Sequence, residues 1–504
     1  MLRHKYKYLC LFNIGLYADT YPLADRLYLY TISVDIMHLS EFFHSLLIFC
    51  LLLFMVTNHQ VKAQSTNDIL NVLTDNKTIT QQQADSLRAT YAIGQQNTLP
   101  DKKLQIDFEL RPRSEYRNGY QQLRNDSVSG AFFTNQRSRL GLNYSHNDKF
   151  ILQFSLQDLR VWGQQDPRTT AASVQVFESW AELMLSGRFS VRLGRQRLIY
   201  DNQRLFAEND WRLSGAAHDA LNFRFQSSKV SGDLAFAFNQ MGERYFGTDY
   251  TPATFNNYKF LVINYIKYTP NKIITLTVLN SSDGFQTGDD PEKMNFRYTL
   301  GGRIEVVSGS LYGTLSGYYQ GGKNSSGENL SAWYVQPEIR VTTSGGPVVR
   351  LGAEIFSGTG NLPGTSDDRS FVPLYGVAHR FNGSMDHIVR FPNDVGNAGL
   401  VNPYLFMVQS LFKKLEIRSD LHLFYLQTGY YEADDKIPGY LGMENDWLLT
   451  CRPHTSIKID LGFSYMLPTE SLEKVKGSGD SSYNLFWGFL SLTFRPVLFS
   501  TKFK

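Results

Sequence analysis

The chain has 504 residues, 14% of them aromatic, and its 50 Lys/Arg and 47 Asp/Glu leave a net charge of only +3. A nucleic-acid binder carries a basic excess, so that class is excluded. After the leader no segment approaches the roughly 20 consecutive apolar residues a spanning helix needs, which excludes a bundle of membrane helices.

The first 36 residues resemble neither signal nor domain, and we read them as an extension upstream of a true start at Met37. The run Leu46–Val56 (LLIFCLLLFMV) is too short to span a bilayer and fits the apolar part of a secretory signal. Val61-Lys62-Ala63 supplies a small-x-small cleavage pattern, so residues 37–63 form the signal peptide, cut near Ala63. Of the three cysteines, Cys10, Cys50 and Cys451, only the last lies beyond the leader, so neither a disulfide nor a thiolate metal cluster is available. Residues 64–102 are polar. Thr80 with Gln83 makes a capping box, and Ala84, Leu87 and Tyr91 follow at helical spacing, giving a short periplasmic helix and linker.

From residue 103 to 504 the texture is uniform. Alternating segments of roughly 10–13 residues are joined by connections that are short and long in turn. Tight examples are Ser186-Gly187, Ser227-Ser228-Lys229, Ser308-Gly309, Lys413-Lys414 and Arg452-Pro453-His454, built from turn-forming residues. Long examples are Gly119–Gly130, Asp201–Ala216, Ser282–Met294, Gly321–Ser331 and Gly358–Leu400. Counting both kinds gives about 18 strands, with both chain ends on the tight-turn side. An even strand number, short periplasmic turns and long extracellular loops describe a closed antiparallel transmembrane β-barrel of the outer membrane. Closure is obligatory, because an open edge in hydrocarbon leaves backbone groups unpaired.

Alternation assigns the faces. Leu104, Ile106, Phe108 and Leu110 point one way; Asp107, Glu109, Arg111, Arg113, Glu115 and Arg117 point the other. Apolar residues therefore meet lipid and the lumen is polar. Aromatics at strand ends (Tyr116, Tyr144, Trp162, Tyr268, Tyr404, Tyr465) suit interfacial girdles. The last strand, Asn484–Arg495, is followed by Phe503 near the terminus. Arginine dominates the lumen-facing cations: Arg111, Arg113, Arg137, Arg139, Arg192, Arg224, Arg303, Arg340 and Arg350. A guanidinium stays charged and binds carboxylates bidentately, so a subset of these would line a path for anionic solute, while others form wall ladders with acidic neighbours.

The segment Leu193–Phe225 resembles the alginate export family of outer-membrane barrels. Gly194-Arg195-Gln196, Asp201, Arg204-Leu205, Trp211, Asp219 and Arg224 carry the likeness. Leu351–Asn361 and Phe371–Asp386 form a second similar block, although Ser357-Gly358-Thr359 stands where most members read Ser-Gly-Asp. The resemblance implies an 18-stranded barrel whose arginine-rich lumen passes an anionic polysaccharide. Arg195, Asp201, Arg204, Trp211 and Asp219 are read as a loop network at the channel mouth, with Arg197, Glu208 and Asp210 beside it. Gly358–Leu400 is long enough to fold into the lumen and constrict it.

Two other readings remain open at this point: a general porin of little selectivity, and a barrel-anchored surface receptor. His379, Asp386 and His387 cluster in the longest loop without metal-ligand spacing, and no catalytic motif is found, so no enzyme, metal or cofactor is expected. The expected partners are an anionic polysaccharide or oligosaccharide and outer-membrane lipid, not nucleic acid, with the chain a monomer.

Overall fold

The computed structural model describes residue 74, residue 80, residues 82–87 and residues 102–503, apart from 147–148, 167, 169–172, 249, 251–257, 288–289 and 362–366. The upstream extension, the signal peptide and Tyr91 lie outside the described residues. The chain divides into two units, Met1–Thr98 and Leu99–Lys504. In the first, residues 82–87 are helical. Thr80 and Gln83 form the reciprocal capping box: the Thr80 N–H donates to Gln83 Oε1 at 2.8 Å, and the Gln83 N–H to Thr80 Oγ1 at 3.2 Å.

The second unit is a closed antiparallel barrel. Its first nine strands are β1 (Lys102–Asn118), β2 (Ala131–His146), β3 (Phe150–Val161), β4 (Val174–Met184), β5 (Phe189–Gln196), β6 (His218–Gln226), β7 (Val230–Phe238), β8 (Phe260–Tyr268) and β9 (Ile274–Thr287). The rest are β10 (Asp290–Ser308), β11 (Leu311–Lys323), β12 (Asn329–Thr342), β13 (Val348–Phe356), β14 (Leu400–Phe412), β15 (Leu415–Leu426), β16 (Tyr440–His454), β17 (Ile457–Pro468) and β18 (Leu485–Phe494, resuming as Val497–Phe503). Both parts of β18 pair with β1, which closes the sheet at eighteen strands. β18 is interrupted at Arg495-Pro496, where proline cannot donate to the ladder. It then runs on to Phe503, beyond the end that the sequence pattern placed at Arg495.

Alternation fixes the faces as the sequence implied. Leu193 and Leu351 are each 62% exposed on the outer wall, whereas Glu109, Arg113 and Glu115 are buried inside. The side-chain period of two makes this register costly to slip, since a one-residue shift sends every charge into lipid.

Three expectations are corrected. Ser282–Met294 and Gly321–Ser331 were read as loops, yet β9 and β10 stay paired out to Thr287 and Asp290, and β11 and β12 out to Lys323 and Asn329. Asp283, within the first of these segments, faces inward, where Arg297 of β10 binds it at 2.5 Å, and both are buried. Tyr404, assigned to a girdle, is inside the barrel and donates to Glu338 at 2.8 Å. The lumen is also not uniformly polar. Inward Ala235, Leu261, Ile263, Leu279, Tyr334 and Phe424 belong to one apolar cluster with loop residues Leu205, Phe206, Phe371, Met385 and Phe391.

Candidate functional site: the plugged lumen

That apolar cluster exists because two long loops turn inward. Residues 197–217 leave β5, and residues 357–399 leave β13, both at the long-loop end. They interlock: the Tyr375 N–H donates to Leu205 O at 2.9 Å and the Val377 N–H to Gln203 O at 3.0 Å, with a parallel bridge between Phe206 and Tyr375. The approach demands glycine at position 376, where an added Cβ would lie 1.9 Å from Arg204 O. Arg204 locks the joint. Its guanidinium meets Glu354 on β13 at 2.8 Å, donates to Val377 O at 2.7 Å and Asn382 Oδ1 at 3.1 Å, and lies over Phe356 and Phe381. Two buried charges are costly unless paired and hydrogen-bonded, and here they are both.

The second loop is then tied around the wall. Gln320 on β11 donates to Val372 O at 2.8 Å, and Tyr375 donates to Asp283 on β9 at 2.7 Å. Asn402 on β14 donates to Phe381 O at 2.8 Å. Glu444 and Asp446 on β16 accept from the Met385 and Ser384 N–H groups at 2.7 and 3.1 Å. His387 donates to Gly119 O at 2.7 Å, just past β1. Burial and nearby Lys476 push the His387 pKa down to about 4, so it sits neutral at pH 7. His379 bonds Asp386 at 2.8 Å and stacks on Trp211 at 4.4 Å; the three loop residues considered as metal ligands serve docking contacts.

Nearly all the arginines singled out from sequence are engaged. Around Asp210 of the first loop gather Arg137 at 2.7 Å, Arg111 at 3.4 Å and Arg139 at 3.8 Å. Burial opposes the Asp210 charge, but Arg137 and Arg111 overcome it and hold the pKa at about 2. Arg113 binds Glu115 at 2.8 Å and covers the Trp211 ring at 4.0 Å. Arg192 and Arg224 share Glu182 at 2.6 and 2.9 Å. Arg303 pairs with Glu305 at 2.7 Å and Arg350 with Glu338 at 2.6 Å. Arg340 lies over Tyr312 at 4.4 Å, and its Nε has no hydrogen-bond partner.

The network assigned to the channel mouth is divided by the structure. Arg195 and Asp219 pair at 3.1 Å, but both point outward, in line with Leu193 and Leu221. Arg204 and Trp211 lie deep in the plug. Asp201 accepts from Tyr265 at 2.8 Å, Thr277 at 3.1 Å and Tyr318 at 3.2 Å on the wall. Arg197 binds Glu178 at 3.1 Å and Glu208 at 2.6 Å.

Beneath the plug, at the tight-turn end, two cavities open. One, of about 720 Å³, is lined by Arg111, Arg113, Lys414, Arg452, Lys458 and Arg495 against only Asp210 and Asp460. The other, of about 580 Å³, sets Arg188, Arg224 and Lys267 against Glu182, Asp201, Asp233 and Glu305. Sequence reasoning missed Lys414, Arg452, Lys458 and Arg495. The signal lay in the turns Lys413-Lys414 and Arg452-Pro453-His454, which it treated only as turns. It also missed Arg380, a plug residue that burial and the charges of Arg418, Arg350 and Arg204 bring down to about 10.

The family model described as alginate export matches residues 102–438. Among solved structures, OccAB1 of Acinetobacter baumannii is similar over 79% of this chain and 97% of its own, with 12% identity and a TM-score of 0.55. OpdO of Pseudomonas aeruginosa covers 79% and 98% at 13% identity and 0.53. OpdK of the same organism, solved with vanillate, covers 79% and 99% at 12% identity and 0.52. No curated protein sequence matches the chain.

Proposed function

This chain belongs to the alginate export family and forms an outer-membrane channel, and from that premise we propose that it passes anionic solutes, foremost an acidic polysaccharide or its oligomers. The single observation that carries the reading is the cavity at the tight-turn end, with six basic side chains against two acidic ones. Low-dielectric walls lined by one sign of charge focus the field and concentrate counter-ions. Arg452 forms no ion pair among the described residues, and Lys458 is 44% exposed beside its Asp460 partner, so both remain available to a carboxylate. A guanidinium fork grips successive uronate carboxylates without a change in protonation.

We read the inward-folded loops as a gate that moves for passage. The Arg204–Glu354 joint and the ties to β9, β11, β14 and β16 hold residues 357–399 inside the barrel. We assign these loops the gating role and the basic cavity the role of holding anionic cargo below the gate. In planar bilayers the purified protein should prefer anions and be blocked by oligouronates. A non-selective ohmic pore that no polyanion blocks would return the protein to the general-porin reading.

A further inference from the structure

The first loop meets the basic cavity through one carboxylate. Asp210 belongs to residues 197–217, not to the wall, and its side chain is 38% exposed where it lines the cavity with Arg111 and Arg495. Four guanidinium groups of the wall surround it: Arg137 at 2.7 Å, Arg111 at 3.4 Å, and Arg139 and Arg495 at 3.8 Å. Against them the wall sets Glu109, which binds Arg137 at 2.5 Å and also Arg495. In this cluster four cations face two anions, and one of those anions comes from the loop.

The same arginines hold the main chain of the loop. Arg111 donates to Asp210 O at 2.8 Å and to Arg212 O at 3.3 Å, Arg113 to Trp211 O at 3.0 Å, and Arg137 to Leu213 O at 3.5 Å. Residues 210–213 therefore depend on the guanidinium groups that an anion in the cavity would seek. The other joint differs in its access to water. Arg204 and Glu354 are 2% and 0% exposed, so no solute reaches that pair. Asp210, Arg111 and Arg495 are reached from the cavity, and the Arg111 and Arg495 contacts to Asp210 are longer than a close charge-assisted bond.

We propose that Asp210 is a stand-in for cargo: in the closed channel it fills the place of an arriving carboxylate, and anionic cargo frees the first loop by taking its arginines. This rests on the anion-channel reading above and adds a trigger to it. The exchange is electrically neutral, since one carboxylate leaves the cluster as another enters. A single free carboxylate competes poorly with one tethered at high effective concentration. An oligouronate carries successive carboxylates, and Arg452 and Lys458 in the same cavity hold others of them, so the oligomer wins the exchange. The closed state also lowers the apparent affinity for cargo, because only channels with the arginines free are competent to bind.

Calorimetric titration of the purified channel with a galacturonate oligomer tests the competition. Asp210→Asn should bind it about fivefold or more tightly than wild type, within the range of a typical coupling between sites. Asp460→Asn makes the same charge change in the same cavity without touching the loop, and should tighten binding by no more than about twofold at physiological salt. Release of the loop is read separately at half-buried Leu213. In a Cys451→Ala background, the oligomer should speed maleimide labelling of Leu213→Cys several-fold while the heat-modifiable folded band persists, and a neutral maltooligosaccharide should not. Equal affinities for wild type and Asp210→Asn, equal gains in the two asparagine variants, or a labelling rate that bound oligomer leaves unchanged would each overturn the proposal. Those outcomes leave the anion-channel reading standing; no binding to any of the three proteins removes both.

Discussion

The two cavities under the plug share one barrel, one depth and one supply of arginines, yet they differ in electrical character. In the cavity against β4 to β10 the four carboxylates Glu182, Asp201, Asp233 and Glu305 outnumber the cations Arg188, Arg224 and Lys267, and Arg224 closes on Glu182 and Asp233. In the cavity against β1 and β16 to β18 the cations outnumber the anions, and Arg452 has no acidic partner among the described residues. A count of arginines therefore says little about where an anion would go. What matters is the cation left over after the wall has neutralised itself.

The comparison holds only while the plug stands over both cavities, and breaking the plug gives the largest effect. Arg204→Ala strands Glu354 without its counter-charge in a buried site, at a cost of about 3–5 kcal/mol. The loops should release, and single-channel conductance should rise severalfold while the barrel keeps its heat-modifiable mobility. Unchanged conductance would mean that the joint does not hold the gate.

Next in size is the salt response of the basic cavity. Raising ionic strength from about 0.1 to 1 M shortens the Debye length from about 10 to 3 Å. Oligouronate block should weaken at least tenfold across that range; a salt-independent block would point to contacts other than charge.

A smaller effect is expected with pH. His387 titrates at about 4 when docked against an ordinary value of 6.5. Its released form therefore binds more protons between those values. Docking stability is complete above about 6.5 and is lost as pH falls towards 4, by at most about tenfold per unit in the open fraction. Conductance measured from pH 7 to 4 should rise accordingly, and His387→Gln should flatten that rise.

The smallest change is predicted where the sequence pointed most directly. Arg192→Ala and Arg224→Ala each leave Glu182 with one arginine, so anion selectivity should shift less than twofold. A larger loss would show that the balanced cavity carries the ions after all.

These sites show what a strand pattern can and cannot disclose. The alternation of Leu104, Ile106 and Phe108 with Asp107, Glu109 and Arg111 fixes facing, because a period of two is local. The order of tight turns and long loops fixes the strand number for the same reason. Nothing local says that residues 197–217 and 357–399 turn inward, since their buried Phe206, Phe371 and Met385 find partners on strands far away in sequence. The same loops explain why polar Asp283 read as a loop residue and proved to be wall, paired there with Arg297. Tyr404 misled for a related reason: an aromatic near a strand end suits either face, and here Glu338 and Gln336 bind its hydroxyl inside. Arg195 was legible as outward by its alternation with Leu193, but its proximity to a loop suggested a rim.

The most direct test of the central claim is the reversal potential across a bilayer under a salt gradient, for the wild-type channel and for Arg452→Glu with Lys458→Glu. Neither residue belongs to the plug, so gating should persist. Anion selectivity in the wild type that falls several-fold or reverses in the double variant is the predicted result. Equal reversal potentials for the two proteins would contradict the assignment of the basic cavity to anionic cargo.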